Sequence, residues 1–317
     1  MRNFAITGVG GYIAPRHLQA IRDTGNRLVA ALDPHDAVGV LDRYFDDVAY
    51  FREFERFDRH LEKLRRKNET ERVHYLSVCA PNYLHDAHIR FALRVGADAI
   101  CEKPLVLNPW NLDALAELER ETGRRVYTVL QLRLHPAIIA LKKRIDAERP
   151  GKIHDIDLTY ITSRGRWYGV SWKGDVEKSG GVATNIGIHF FDMLAWVFGG
   201  LREMEVHLSE PTRAAGVLRL NSAAVRWYLS LEKSDVPREQ RDKGKTTYRS
   251  LAIGGEEVEF SDGFTDLHTA VYRDVLGGGG FGLEDARPSV TLAHDIRNAT
   301  PVRSARELLH PFAARRV

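Results

Sequence analysis

From Asn3 to about Leu130 the apolar positions fall in short continuous runs: Phe4 to Thr7, Leu28 to Leu32, Tyr75 to Cys79, Ala99 to Cys101 and Val126 to Leu130. Between them lie amphipathic stretches with helical spacing, an alternation that predicts a parallel sheet with crossover helices. Helix punctuation agrees. Pro109 follows Asn108 at a first-turn position, and Gly123 stops the helix carrying Leu112, Leu115, Leu118 and Glu119. The highly charged stretch from Arg52 to Thr70 reads as a solvated outer helix.

A helix is predicted from Pro136 to Ala147, after which Pro150-Gly151 breaks the pattern. Longer alternating runs then predict strands at Ile153 to Thr162, Glu203 to Ser209, Ala224 to Leu231 and Leu251 to Phe260. One apolar helix, near Ile186 to Phe198, interrupts them. The chain is therefore expected to be an α/β protein, with a doubly wound parallel sheet in residues 1–132 and an α+β domain with a large, mostly antiparallel open sheet in residues 133–317. The charged segment Lys233 to Lys245 reads as an exposed loop, and Gly277 to Gly280 as a flexible hinge.

A length of 317 residues suits two cores better than one. The charge balance, 46 basic against 43 acidic residues for a net +3, is interspersed along the chain, which argues against a nucleic-acid stripe or a membrane-binding face. A first strand immediately after Met1 leaves no room for a signal peptide, and no stretch is expected to approach the length of a membrane span. Cys79 and Cys101 each end an apolar run and read as buried thiols in a reducing compartment, the cytoplasm.

Gly8-Val9-Gly10-Gly11-Tyr12-Ile13-Ala14 follows the first strand and opens a helix. Glycines there let the backbone turn and approach a pyrophosphate, which the helix dipole stabilises. The third glycine of a strict fingerprint is replaced by Ile13, with the small residue one place later at Ala14. Asp33 ends the second strand about 20 residues on, where a carboxylate accepts hydrogen bonds from an adenosine ribose and repels a 2′-phosphate. NAD is therefore the expected cofactor.

Ala80-Pro81-Asn82-Tyr83-Leu84-His85 and Glu102-Lys103-Pro104 both follow strands of the parallel sheet, at the edge where such sheets bind ligands. A lysine there can hydrogen-bond a substrate hydroxyl and stabilise the alkoxide that develops as hydride departs. On the later apolar helix Asn185 and His189 stand four apart and share a face with Asp192, so an amide, an imidazole and a carboxylate can project into one cleft. His189 can take the hydroxyl proton; a satisfied core histidine is the other reading.

The glycine loop, Pro81-Asn82 with His85, Glu102-Lys103-Pro104, and Gly180-Gly181 through His189 to Asp192 together resemble the Gfo/Idh/MocA oxidoreductase family over nearly the whole chain. Tyr160 to Tyr168, Ser171 to Asp175, Gly181 to Asp192, Tyr248-Arg249-Ser250 and Gly263 to His268 resemble more closely its WlbA/WbpB branch, the UDP-N-acetyl-glucosaminuronate 3-dehydrogenases. The resemblance implies that NAD is held by Gly8, Gly10, Gly11, Tyr12, Ile13, Asp33, Ala80, Pro81, Asn82, His85, Glu102, Lys103, Gln131 and Trp172. It implies catalysis by Lys103 and His189, and substrate contacts from Lys103, Arg164, Tyr168, Lys173, Asn185 and His189. Many relatives carry aspartate where this chain has Asn185, which places proton acceptance more on His189 and Lys103.

What the resemblance implies chemically is oxidation of the C3 hydroxyl of UDP-N-acetyl-glucosaminuronic acid, with tightly held NADH reoxidised in place by 2-oxoglutarate, on the way to bacterial surface polysaccharide. It also implies a homotetramer built on open faces of the second sheets. Arg164, Arg166 and Lys173 suit a uronate or diphosphate, and Trp167, Tyr168 and Trp172 offer flat faces for a pyranose or the nicotinamide; the other reading is an edge strand and loop with aromatics packed at a domain interface. Rival readings are a dehydrogenase of a free sugar or inositol, and a nucleotide-sensing regulator without chemistry. Zinc is not expected, although His85 and His88, or His189 and Asp192, have helical ligand spacing. No Gly-x-Ser-x-Gly elbow occurs, which disfavours a serine hydrolase.

Overall fold

A computed structural model describes residues 1–260 and 266–315. The first sheet holds β1 (Asn3–Thr7), β2 (Arg27–Leu32), β3 (Ala49–Phe51), β4 (Tyr75–Val78), β5 (Asp98–Cys101) and β6 (Val126–Thr128), ordered β3-β2-β1-β4-β5-β6 and parallel throughout. The strand order reverses between β1 and β4, so a crevice opens at the carboxyl ends of these two strands, where doubly wound sheets bind ligands. β3 is an element the sequence reading does not include: it is only three residues long, Ala49-Tyr50-Phe51, and half-buried throughout.

The second sheet holds β7 (His154–Thr162), β8 (Leu201–Glu210), β9 (Arg213–Leu220), β10 (Ala223–Ser230), β11 (Thr247–Ile253) and β12 (Glu256–Glu257), ordered β12-β11-β7-β10-β9-β8. Every pairing is antiparallel except β7 with β10. The expected single strand from Leu251 to Phe260 is instead the end of β11, a Gly254-Gly255 turn and the short β12. Expected at its two ends, the antiparallel ribbon also includes β9, whose run is interrupted by Gly216.

The chain divides into two compact units, Met1–Gln131 with Thr265–Arg287, and Leu132–Phe264 with Pro288–Val317. This differs from the expected contiguous halves 1–132 and 133–317, because the helix Leu267–Leu276 returns to the first unit and packs on the helix Ala14–Asp23. It buries Leu267, Val271, Tyr272 and Val275, apolar area worth roughly 1.5–3 kcal/mol for each large side chain. The glycines after it form a closed turn rather than a loose hinge: the main-chain N–H of Gly279 donates to the Asp274 carbonyl at 2.9 Å and that of Gly280 to Asp274 Oδ2 at 2.9 Å. Of the sequence segment Gly263 to His268, the first three residues lie outside the described residues.

In the second unit the helix Ile188–Phe198 lies in the core, with Phe191 edge-on to Trp227 at 5.3 Å between ring centres. The stretch Val176–Phe198 is, by length and composition, able to cross a membrane, contrary to the sequence expectation, but 72% of its apolar window is buried inside the protein. Gly180 and Gly181 also break it with φ of 80° and 75°. The segment expected as an exposed loop, Lys233 to Lys245, begins with a buried anchor: Asp235 accepts from Arg213 Nε at 2.8 Å, Tyr228 Oη at 2.8 Å and Ser230 Oγ at 2.6 Å.

Candidate active site, described in two halves

In the first unit the loop after β1 is fixed by its glycines. Gly8 has φ of 76°, and a Cβ there would lie 2.5 Å from the Cys79 carbonyl oxygen, so this position admits no side chain. The main-chain N–H of Gly10 donates to Asp33 Oδ2 and that of His35 to Asp33 Oδ1, both at 2.9 Å. Asp33 therefore orients the loop, and each of its oxygens keeps a lone pair for a ribose hydroxyl. Beyond the loop, Tyr12 is 88% exposed, and the helix Ala14–Asp23 starts at Ile13 with no side chain capping its N–H groups.

Three observations fit a dinucleotide. Gly8 lets the turn pack tightly against the backbone at the carboxyl end of β4, the helix Ala14–Asp23 starts directly behind the loop with the positive end of its dipole toward it, and Gln131 Oε1 is buried with no hydrogen-bond partner among the described residues, an acceptor suited to a carboxamide. Gly8, Gly10, Gly11, Asp33 and Gln131 are among the residues that could hold NAD, which supplies a hydride acceptor when bound.

After β4, Ala80 and Asn82 are buried while Pro81 is half-buried. His85, expected to touch the cofactor, is 1% exposed and lies behind the loop, its Nδ1 2.6 Å from the Pro104 carbonyl and its Nε2 2.8 Å from the Ala80 carbonyl. Burial lowers its pKa, opposed by these two bonds, so the ring ties the loop after β4 to the loop after β5. His88 is likewise occupied, with Nδ1 2.9 Å from Thr7 Oγ1.

After β5, Glu102 is buried and Lys103 half-buried, and the Lys103-Pro104 peptide is cis. Glu102 Oε1 lies 2.9 Å from His17 Nε2 and 2.9 Å from His268 Nε2. The ligand-type atoms of these three residues converge within 4.8 Å of one another. Neither histidine was singled out from sequence, since each sits in an amphipathic helix whose pattern only reports a buried face. Both thiols, Cys79 and Cys101, are buried, and burial pushes each well above the ordinary value, so neither is a nucleophile.

In the second unit the helix Ile188–Phe198 follows a π-type turn, Ala183–Gly187. Gly181, Asn185 and His189, four residues apart, are half-buried, whereas their neighbours Ile186, Gly187, Ile188 and Phe190 are buried. This spacing leaves Asn185 and His189 on one open face. Asp192, expected on that face, is instead 2% exposed and paired with Arg133, Oδ2 to Nε at 3.0 Å and Oδ1 to Nη2 at 2.8 Å. Arg133 comes from the turn Gln131–Leu134, and nothing in the local sequence Gln-Leu-Arg-Leu marks it.

Before this helix come three short turns, Trp167–Val170, Trp172–Gly174 and Val176–Ser179; Tyr168 and Lys173 sit on the first two and Arg164 just before them. Asn185 Nδ2 donates to the Tyr168 phenol oxygen, and burial raises the Tyr168 pKa against that bond. Ser171 Oγ donates to the Tyr168 carbonyl at 2.9 Å and accepts from the Lys173 N–H at 3.3 Å. Lys173 Nζ lies 5.7 Å from the centre of the Trp172 ring, and burial, then the nearby Arg164 charge, lowers its pKa. Arg164 and Arg166 are exposed, the latter 4.7 Å above the Trp167 ring. Arg164 and Lys173, with the Tyr168 phenol and the Asn185 amide, thus form a set within the second unit suited to an anionic, hydroxyl-bearing ligand.

Comparison with known proteins matches both parts of the chain to one family. Residues 2–130 match a model described as an oxidoreductase family, NAD-binding Rossmann fold, and residues 142–242 match the C-terminal alpha/beta domain of the same family. The WlbA (WbpB) dehydrogenase from Thermus thermophilus, solved with NAD and alpha-ketoglutarate, is 55% identical over 98% of this chain and 100% of its own, with a TM-score of 0.94. The same enzyme solved with NAD and UDP-GlcNAcA gives 54% identity over 98% and 100% of the two chains, and a TM-score of 0.94. Among curated proteins, the 2,7-anhydro-N-acetylneuraminate hydratase of Mediterraneibacter gnavus is 28% identical over 63% of this chain; the match spans 50% of that protein's length.

Proposed function

Because the chain belongs to the Gfo/Idh/MocA oxidoreductase family, we propose that it oxidises the C3 hydroxyl of UDP-GlcNAcA to the 3-keto sugar. NAD, when bound, takes the C3 hydride and releases it to the keto carbon of 2-oxoglutarate, which leaves as 2-hydroxyglutarate. Lys103 hydrogen-bonds the C3 hydroxyl and stabilises the developing alkoxide, and His189 accepts the hydroxyl proton. The same two groups return a proton when the oxoacid is reduced. Arg164 and Lys173 meet the uronate and diphosphate, and Tyr168 with Asn185 lines the sugar.

The observation that carries this reading is the 55% identity across 98% of the chain to the Thermus enzyme, whose structures hold NAD with alpha-ketoglutarate and NAD with UDP-GlcNAcA. In the same reading the protein is a cytoplasmic homotetramer that supplies a keto sugar for surface polysaccharide.

The test follows NADH fluorescence of NAD-loaded protein through two additions. Fluorescence should rise with UDP-GlcNAcA and fall with 2-oxoglutarate, and mass spectrometry should find 3-keto sugar and 2-hydroxyglutarate in equal amounts. Reduction by inositol or a free sugar, with none by UDP-GlcNAcA, would overturn the reading.

A further inference from the structure

The buried cluster around Glu102 joins four separate parts of the first unit. Besides the two contacts of Oε1 with His17 and His268, Glu102 Oε2 accepts the main-chain N–H of Lys103 at 3.2 Å. His17 Nδ1 lies 2.7 Å from Tyr272 Oη, which lies 2.5 Å from Ser77 Oγ. His17 and Ser77 are fully buried, and Glu102, His268 and Tyr272 nearly or fully so.

Electrostatics assigns the protons along this chain of contacts. Burial opposes the charge on Glu102, but the hydrogen bonds from His17 and His268 outweigh it and hold the carboxyl well below the usual range. Burial lowers the His17 pKa, so that ring is neutral. An ionised Glu102 then requires N–H at both histidine Nε2 atoms, His17 Nδ1 accepts from Tyr272, and Tyr272 accepts from Ser77. Every donor in the cluster points toward one carboxylate.

On the other side of the same loop His85 bonds the Pro104 carbonyl. The backbone of Lys103 is therefore held from both flanks, by Glu102 before it and by the carbonyl of Pro104 after it. We propose that Glu102, oriented by His17 and His268, is a positioning residue that fixes the main chain of Lys103 and thereby the place from which its ammonium acts. This rests on the proposed role of Lys103. Neither histidine touches substrate in this scheme; they act through Glu102.

The experiment compares His268→Leu with His268→Gln, whose side-chain N–H reproduces the lost donor. In UDP-GlcNAcA oxidation, Leu should lower kcat about ten- to a hundredfold, as a displaced catalytic group does, while the Kd for NAD stays within about twofold; Gln should recover most of kcat. A second readout does not depend on turnover. With the lysines carrying ¹³C-methyl labels and the Lys103 signal identified by its loss in Lys103→Arg, that signal should move in Leu and stay in place in Gln.

A Leu variant that is folded, has wild-type kcat and leaves the Lys103 signal unmoved overturns the proposal. So does parallel loss of kcat and NAD affinity without rescue by Gln, which marks the cluster as scaffold alone. A stoichiometric transition metal lost in the Leu variant also overturns it, because nitrogen lone pairs would then face a cation. If wild-type protein fails to oxidise UDP-GlcNAcA, the functional reading falls, and the Lys103 signal alone decides this one.

Discussion

Arg133 and Asp192 form a two-pronged buried ion pair, with 7% and 2% of their side chains exposed, that ties the turn Gln131–Leu134 to the helix bearing His189. Asp192 lies three residues, nearly one turn, beyond His189. The pair therefore fixes both the rotation and the depth of that helix within the second unit.

Removing the cation alone leaves Asp192 short of its partner in a dry setting. Arg133→Met should cost about 3–5 kcal/mol, read as a lower urea midpoint at unchanged m. The double change Arg133→Met with Asp192→Leu should restore most of that loss, since it removes both desolvated charges. A single-variant cost below about 1 kcal/mol would show that the pair does not hold the helix.

Two buried histidines make stability depend on acid. Burial pulls His88 and His310 from 6.5 down to about 4, with His310 Nε2 3.1 Å from Thr159 Oγ1 and its ring stacked on Tyr228. The unfolded chain binds these protons first as pH falls, so the stability contributed is complete above pH 6.5 and drains away toward pH 4. Each contributes on the order of 3 kcal/mol at most. Urea unfolding between these two pH values should weaken steadily, and His310→Gln should flatten the slope.

Much of the first sheet was legible because most of its strands are largely apolar runs set between amphipathic helical stretches. β3 escaped because three half-buried residues carry no periodicity, and β9 because Gly216 interrupts its run. The glycine loop, Asp33 and Lys103 were legible for a different reason: parallel strands expose their carboxyl ends, so position along the sequence already placed them at a ligand-binding edge. The partners that orient them were not. His17, His268 and Tyr272 meet Glu102 and Ser77 across sequence separations of 85, 166 and 195 residues, and no local pattern encodes such a contact. Asp192 misled because helical spacing gives a face but not which face is buried.

Lys103→Ala and His189→Ala test the proposed chemistry directly. Each should lower kcat for UDP-GlcNAcA oxidation about 10²- to 10⁴-fold, the usual contribution of one positioned acid or base. Calorimetry should show NAD binding retained in His189→Ala, since that change touches none of the residues assigned to the cofactor. Wild-type turnover in either variant would remove that residue from the mechanism.

Gly8→Ala tests the cofactor loop. The new methyl would meet the Cys79 carbonyl at 2.5 Å in a backbone conformation of φ 76°. NAD affinity measured by calorimetry should fall at least about tenfold, or ~1.4 kcal/mol, as the loop shifts away from the β4 end. Unchanged affinity would place the pyrophosphate elsewhere.

The return of Leu267–Leu276 to the first unit also governs the order in which the protein can be made. Domains commonly fold as they leave the ribosome, the amino-terminal one first. Here a nascent chain ending at Gln131 holds all six strands of the first sheet, yet His17, Ser77 and Glu102 still await His268 and Tyr272. The first unit thus finishes only after nearly the whole second unit has been synthesised, so the two mature together rather than in turn.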